Sequence, residues 1–134
     1  MKFLKASVGP GLLWTAMIFY LLSMDTSGAG EFSLLKVYGK VYGIDKLIHF
    51  ALFTILAFVW GAYFLSRSTM PANLIVLLII ILASTYGMGM EYYQQYFTNR
   101  SFSYWDGLAD AIGSVAGAWA AKKSPYGNRG RNQN

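Results

Sequence analysis

The sequence has no cysteine and few charged residues, which make up 13% of its 134 residues. The absence of cysteine excludes disulfides, thiolate metal sites and cysteine nucleophiles. Soluble domains average about 25% charged residues, so this chain carries roughly half the usual charge. Hydrophobic residues account for 55% of the sequence. The composition therefore points away from a soluble domain before any single residue is considered.

Three long stretches carry no formal charge, namely those between Lys5 and Asp25, between Lys46 and Arg67, and between Arg67 and Glu91. Each is about as long as the ~20 apolar residues that a membrane-spanning helix requires. These stretches argue against a soluble enzyme, a disordered tail and a nucleic-acid-binding protein. They predict an all-α integral membrane protein, built as a four-helix transmembrane bundle.

The apolar segments predict four spans within one domain that covers residues 1–134. Between the first two spans, apolar residues recur at helical spacing, which favours a short interfacial helix, with a loop as the alternative. A cleavable signal peptide is the alternative for the first span, because lysines precede it and Ser27-Gly28-Ala29 follows it. The predicted ranges are 8–24, 47–66, 72–93 and 105–121 for the spans, 31–42 for the interfacial helix and 122–134 for a basic tail.

The distribution of lysine and arginine predicts which side of the membrane each loop occupies. Four spans place both termini on one side, and that side carries more basic residues than the other. The positive-inside rule then places both termini in the cytoplasm. The basic residues on the terminal side are Lys2, Lys5, Arg67, Lys122, Lys123, Arg129 and Arg131, and those on the other side are Lys36, Lys40, Lys46 and Arg100.

Most of the remaining charge falls at three helix ends that alternating topology places together on the outward side. Asp45 and His49 are four residues apart and share a helical face. Asp106 and Asp110 share a face with small residues, whose spacing lets another helix approach closely. The predicted polar pocket consists of Asp45, Lys46, His49, Glu91, Gln94, Arg100, Asp106 and Asp110, with Gly87, Gly113 and Gly117 as helix-packing residues.

Two interpretations of this polar set are open. Polar side chains also hold transmembrane helices together, at about 0.6 kcal/mol each. Under that interpretation Arg100 neutralises Glu91, Asp106 or Asp110, and His49 is a neutral side chain bonded to Asp45. Intramembrane ionisable residues more often mark function, because a charge is costly in the bilayer. The concentration of the set at one end favours a functional site.

The same residues carry a resemblance to a known family. Asp45-Lys46-x-x-His49 is similar to a first signature, and Glu91-x-x-Gln94, Arg100, Asp106, Asp110, Gly113 and Gly117 resemble a second one across residues 44–121. Together they resemble the VanZ-like family of small bacterial membrane proteins, which is associated with teicoplanin resistance. Asp110 departs from the pattern, which usually has asparagine there, and Thr98-Asn99 stands where proline or glycine often precedes the arginine. The resemblance implies a multi-pass protein of the bacterial cell envelope, located in the inner membrane.

Three function classes are open at this point. The first is an envelope protein that binds or modulates an envelope lipid, a lipid-linked cell-wall component or a lipoglycopeptide, with Arg100 suited to phosphate or carboxylate. The second is a membrane-embedded hydrolase or transferase, with His49, Asp45 and Glu91 as catalytic candidates. The third is a proton- or ion-coupled transporter.

The partners and cofactors are predicted only in outline. The lipid bilayer is the expected partner, an oligomer is compatible with the sequence, and nucleic acid is not expected. No cofactor is specified and no metal site is assigned. Glu91, Asp106, Asp110 and His49 offer oxygen and nitrogen ligands for a divalent metal under the second function class alone.

Overall fold

The computed structural model describes residues 6–24 and 43–127, and their regular secondary structure consists of four α-helices without strands. This confirms the all-helical fold class. The predicted interfacial helix at 31–42, the residues before 6 and the tail beyond 127 lie outside the described residues. The helices are α1 (Gly9–Ser23), α2 (Ile44–Arg67), α3 (Ala72–Phe97) and α4 (Tyr104–Lys123).

Local sequence explains where the helices begin. Proline stands in the first turn of α1 and immediately before α3, where its missing N–H costs no helical hydrogen bond. Gly43 precedes α2 with φ of 99°, a left-handed conformation that a glycine adopts without steric cost. Ser103 caps α4, because its side chain accepts a hydrogen bond from the Asp106 N–H. These starting points determine on which face of its helix each polar residue lies.

Helices α2 and α4 pack most closely, along a seam of small residues. Gly113 and Gly117 lie against the backbone of Phe50 and Thr54, and a Cβ atom at either glycine would overlap that backbone. Farther along the seam, a Cβ on Gly61 would lie 2.9 Å from the Cβ of Ala121. This close approach brings side chains of α2 and α4 within hydrogen-bonding distance of each other.

Side-chain hydrogen bonds to main-chain oxygens hold α1 against α2 and α3. The Trp14 indole donates to the Leu52 carbonyl at 3.0 Å, and the Tyr86 hydroxyl donates to the Thr15 carbonyl at 3.0 Å. Gln94 donates its amide to the Leu22 carbonyl at 2.9 Å. Carbonyls at a helix C-terminus have no helical partner, so the buried Gln94 side chain satisfies one of them and fastens the end of α1 to α3.

The bundle has two chemically different ends. Lys122 contacts Asn73 at one end, where Arg67 also lies and bonds to the Ala6 carbonyl. This is the basic end. The start of α2, the end of α3 and the start of α4 meet at the opposite end, which we call the site end. An antiparallel arrangement of these three helices therefore brings the predicted polar residues together.

Two of the helices, α2 and α3, are long and apolar enough to cross a membrane, and α1 is apolar but shorter, at 15 residues. Many large apolar side chains on these helices point outward. Leu13 is 74% exposed and Leu82 is 63% exposed, where a soluble bundle would place polar residues. The bundle thus presents an apolar outer surface around a core of apolar and small residues.

Candidate functional site

The centre of the site end is a set of three buried ionisable side chains from three helices, which we call the acidic trio: His49, Glu91 and Asp110. Their exposed fractions are 1%, 1% and 0%. His49 Nδ1 lies 2.9 Å from Asp110 Oδ1, within hydrogen-bonding distance, and 3.9 Å from Glu91 Oε1. The trio forms because α4 approaches α2 closely at Gly113 and Gly117, a contact that we call the glycine seam. Helix α3 packs on the third side.

Two ion pairs lie next to the trio, and we call them the rim pairs. Arg100 donates from Nη2 to both oxygens of Asp45, each at 3.0 Å. Lys46 Nζ lies 3.3 Å from Asp106 Oδ1. The side chains of Asp45, Lys46 and Arg100 are 41%, 43% and 28% exposed, whereas Asp106 is buried at 5%. The site end is therefore a buried trio beneath a partly exposed, charged surface.

The loop between α3 and α4 is fastened to the trio through Glu91. Its Oε2 atom accepts a hydrogen bond from the Ser103 N–H at 3.0 Å. Since Ser103 also caps α4, Glu91 couples the end of α3 to the start of α4. Sequence reasoning missed Ser103, although Ser-x-x-Asp before a helix is a recognisable capping pattern that could have identified it.

The partners within the site differ from those that helical spacing predicted. Asp45 and His49 share a face of α2, but Asp45 bonds to Arg100 and His49 bonds to Asp110. The interpretation of the polar set as a contact between helices paired Arg100 with Glu91, Asp106 or Asp110, and the structure pairs it with Asp45 instead. These differences arise because the distance between helices, set at the glycine seam, determines partners that spacing within one helix does not.

The structure brings together seven of the eight predicted polar residues in the trio and the rim pairs. Gln94 is the eighth, and its amide is used on the α1 carbonyl rather than on a site acid. An apolar cavity of about 300 Å³ lies between α1, α2 and α3, and its lining residues are Thr15, Leu56, Ala57, Trp60, Phe64, Ile79, Leu82, Ala83 and Tyr86.

Several buried polar atoms of the site have no hydrogen-bond partner among the described residues. They include His49 Nε2, Glu91 Oε1 and Asp110 Oδ2. Asp106 Oδ1 also lacks a hydrogen bond, although Lys46 Nζ stands 3.3 Å away as an ion-pair partner. Buried polar groups normally have hydrogen-bond partners. The side chains of the rim pairs are more fully paired than those of the trio, in which each residue keeps one atom without a hydrogen bond.

Gly87 gives the Asp110 carboxylate its space on α3. A Cβ at position 87 would lie 2.6 Å from Asp110 Oδ2 and 2.8 Å from its Cβ, whereas a Cβ at Gly89 meets nothing within 4 Å. We expect Gly87→Ala to displace the carboxylate and to destabilise the protein by about 1–3 kcal/mol, the usual cost of overpacking. Gly89→Ala is the control on the same helix and should be neutral or slightly stabilising. Thermal unfolding of both variants in detergent checks this, and equal midpoints would show that Gly87 is not required.

Comparison with family models, with curated proteins and with solved structures found no match to this chain. The candidate site is therefore interpreted from its own geometry and charge.

Proposed function

We propose that this chain is a VanZ-like multi-pass protein of the bacterial cell membrane, with both termini cytoplasmic and the site end facing outward. The apolar outer surface and the two helices of membrane-spanning length support insertion in a bilayer. Arg67, Lys122 and Lys123 lie at the basic end, as the positive-inside rule expects for the cytoplasmic side. The charges of the site end then lie near the outer surface of the membrane.

The function that this arrangement supports best is binding of an anionic envelope amphiphile, such as a lipid-linked cell-wall component or a lipoglycopeptide. The exposed side chains of the rim pairs are two cations and one carboxylate, because Asp106 is buried. This surface favours a phosphate or carboxylate headgroup. The exposed rings of Tyr92 and Tyr104 both pack against Phe102, with centroids 5.0 and 4.7 Å from it. They offer an apolar surface for a sugar or an acyl chain.

Arg100 is the observation that carries the proposal. Both of its hydrogen bonds to Asp45 use Nη2, and its Nε and Nη1 atoms donate to no residue in the described part of the chain. The Nε–H and Nη1–H groups lie on different edges of the guanidinium, and each can donate a charged hydrogen bond to an oxygen of a phosphate or carboxylate headgroup. A lysine at this position would keep the charge and lose the fixed planar arrangement of donors that bonds to Asp45 and to a headgroup at the same time.

The Arg100→Lys variant tests headgroup binding. The full chain in lipid nanodiscs is titrated with a polyprenyl monophosphate and, separately, with the matching polyprenol. We expect the phosphate to bind and the alcohol to bind much more weakly, and Arg100→Lys to lose about tenfold or more in affinity for the phosphate, as for a lost charged hydrogen bond. Arg67→Lys, at the basic end, is the matched control and should bind as the wild type does. Equal binding by the wild type and Arg100→Lys would contradict the proposal.

A lipoglycopeptide ligand is tested in cells. If the site acts on the response to teicoplanin, expression of the chain in a susceptible bacterium changes teicoplanin susceptibility, and Arg100→Lys removes that change while Arg67→Lys keeps it. An unchanged susceptibility would leave the lipid headgroup as the ligand class.

A membrane-embedded hydrolase or transferase is the second candidate function, and one contact favours it. Asp110 holds His49 through Nδ1, and Nε2 has no partner in the described residues, which is the arrangement of an oriented general base. Release of inorganic phosphate from the polyprenyl phosphate by the wild type, but not by His49→Gln, would support this function. The absence of turnover would favour binding alone.

A further inference from the structure

The charges that the described residues bring to the site end do not balance. Four carboxylates face two permanent cations, because Arg100 pairs with Asp45 and Lys46 pairs with Asp106. Glu91 and Asp110 have only His49 between them. Two carboxylates that are buried without a cationic partner are unfavourable in an apolar bundle. The excess of two carboxylates equals the charge of one divalent cation.

Unpartnered atoms within the trio identify where such a cation would lie. Glu91 Oε1 has no hydrogen-bond partner in the described residues, yet its side chain is 1% exposed and the atom faces His49 Nδ1 at 3.9 Å. Asp110 Oδ2 is also unpartnered among the described residues, and it faces Gly87, which lies one helical turn before Glu91 on α3. Buried acceptor oxygens without a hydrogen-bond donor are expected at a cation site, because the cation provides the positive charge that a donor hydrogen would otherwise provide.

The distances within the trio suit a small metal ion. One ligand atom from each of His49, Glu91 and Asp110 lies within 4.8 Å of the others. Two ligands about 2.0–2.1 Å from a tetrahedral Zn²⁺ stand roughly 3.3 Å apart. The observed separations from His49 Nδ1, 2.9 and 3.9 Å, lie on either side of that value. We propose that His49, Glu91 and Asp110 bind one Zn²⁺ ion, with a fourth coordination position left open.

The nature of the ligands and the neighbouring charges narrow the choice of ion and of site. An imidazole with two carboxylates suits Zn²⁺, whereas Mg²⁺ and Ca²⁺ prefer oxygen ligands alone. A second set, Asp45, His49 and Asp106, has comparable spacing. Its two carboxylates are already paired with Arg100 and Lys46, so a cation there would compete with both. The trio is therefore the site, and this inference does not depend on headgroup binding.

Metal binding is tested on the full chain, purified through a tag that contains no histidine and treated with a chelator. Equilibrium dialysis against low-micromolar Zn²⁺, followed by elemental analysis, should give about one Zn²⁺ per chain. Glu91→Gln and Asp110→Asn should weaken binding by more than tenfold, since even the loss of a residue that only orients a ligand costs ~10–100-fold. Asp45→Asn alters the second set and weakens the Arg100 pair but leaves the trio intact, so it should retain the ion.

A measurement on the wild type alone keeps the proposal testable if a variant fails to fold. Zn²⁺ that binds the folded state raises the thermal unfolding midpoint of the metal-free protein, and Mg²⁺ at the same concentration should not. The proposal is overturned if the wild type holds no Zn²⁺ and gains no stability from it, or if every variant holds the same amount. Loss of Zn²⁺ in Asp45→Asn with retention in Glu91→Gln would place the ion at the second set and also overturn it. Headgroup affinity is measured separately with the Arg100→Lys variant. A failure of headgroup binding would therefore leave the result on Zn²⁺ binding unchanged.

Discussion

Replacement of His49 by leucine should be among the most destabilising single changes in this protein. The imidazole is the hydrogen-bond partner of Asp110 and lies 3.9 Å from Glu91, and all three side chains are buried. Removing one member of a buried ionic contact while the others remain typically costs about 3–5 kcal/mol. We therefore expect His49→Leu to unfold at a far lower denaturant concentration than the wild type.

Replacing the whole trio separates a structural role from a functional one. In the triple variant, with His49, Glu91 and Asp110 all changed to leucine, no charge is left unpaired. Exchange of a complete buried ionic set for apolar residues is often neutral or stabilising by ~1–4 kcal/mol. We expect the triple variant, compared with the metal-free wild type, to recover most of the stability that His49→Leu loses, while Zn²⁺ binding disappears. A triple variant as unstable as the single one would show that the trio mainly holds the helices together.

Adding methyl groups at the glycine seam should cause the second large loss of stability. In the double variant Gly113→Ala/Gly117→Ala, each added methyl overlaps the α2 backbone at Phe50 or Thr54. Main-chain atoms cannot move aside as a flexible side chain can, so each position is expected to cost at least the ~1–3 kcal/mol of ordinary overpacking. Separation of α2 from α4 also lengthens the His49–Asp110 contact. We expect both lower stability and weaker Zn²⁺ binding from this double variant.

Gly107→Ala is the matched control for the seam because it lies on the same helix. A Cβ at position 107 would meet only the methyl end of Met88, at 3.3 Å, which can rotate away. Unfolding in detergent and Zn²⁺ dialysis should therefore give values near those of the wild type for this control. If the seam variant matched Gly107→Ala in both measurements, the close approach of α2 and α4 would not be what forms the trio.

The sequence allowed much of the architecture to be predicted. Apolar stretches and scarce charge predicted the helices, and alternation of the spans predicted that Asp45, Glu91 and Asp106 meet at one end. The helix ends were predicted less accurately: α2 begins at Ile44 rather than 47, and α3 continues to Phe97 rather than 93. Polar residues in these extra turns have partners on other segments, as Asp45 has Arg100 and Gln94 has the Leu22 carbonyl. Hydropathy alone ends a span where polar residues begin.

Partner choice within the site could not be predicted from one sequence. Helical spacing placed Asp45 beside His49, but the rotation of α2 against α4 turns His49 toward Asp110. That rotation depends on the packing of Gly113 and Gly117 against main-chain atoms, which no pattern within a single helix encodes. Asp110, the residue that departs from the VanZ-like pattern, is the side chain that bonds to His49. Its carboxylate is therefore central to the charge imbalance from which the cation site is inferred.

The most direct test that the site end binds a ligand uses the fact that the chain contains a single histidine. With ¹⁵N-labelled histidine, the spectrum of the full protein in nanodiscs reports on His49 alone. Addition of one equivalent of Zn²⁺ to the chelator-treated protein should move the Nδ1 resonance to a new, saturable position, and Gly87→Ala should weaken that response. An Nδ1 resonance that is unchanged by Zn²⁺ would contradict the account and leave the trio as a contact between helices.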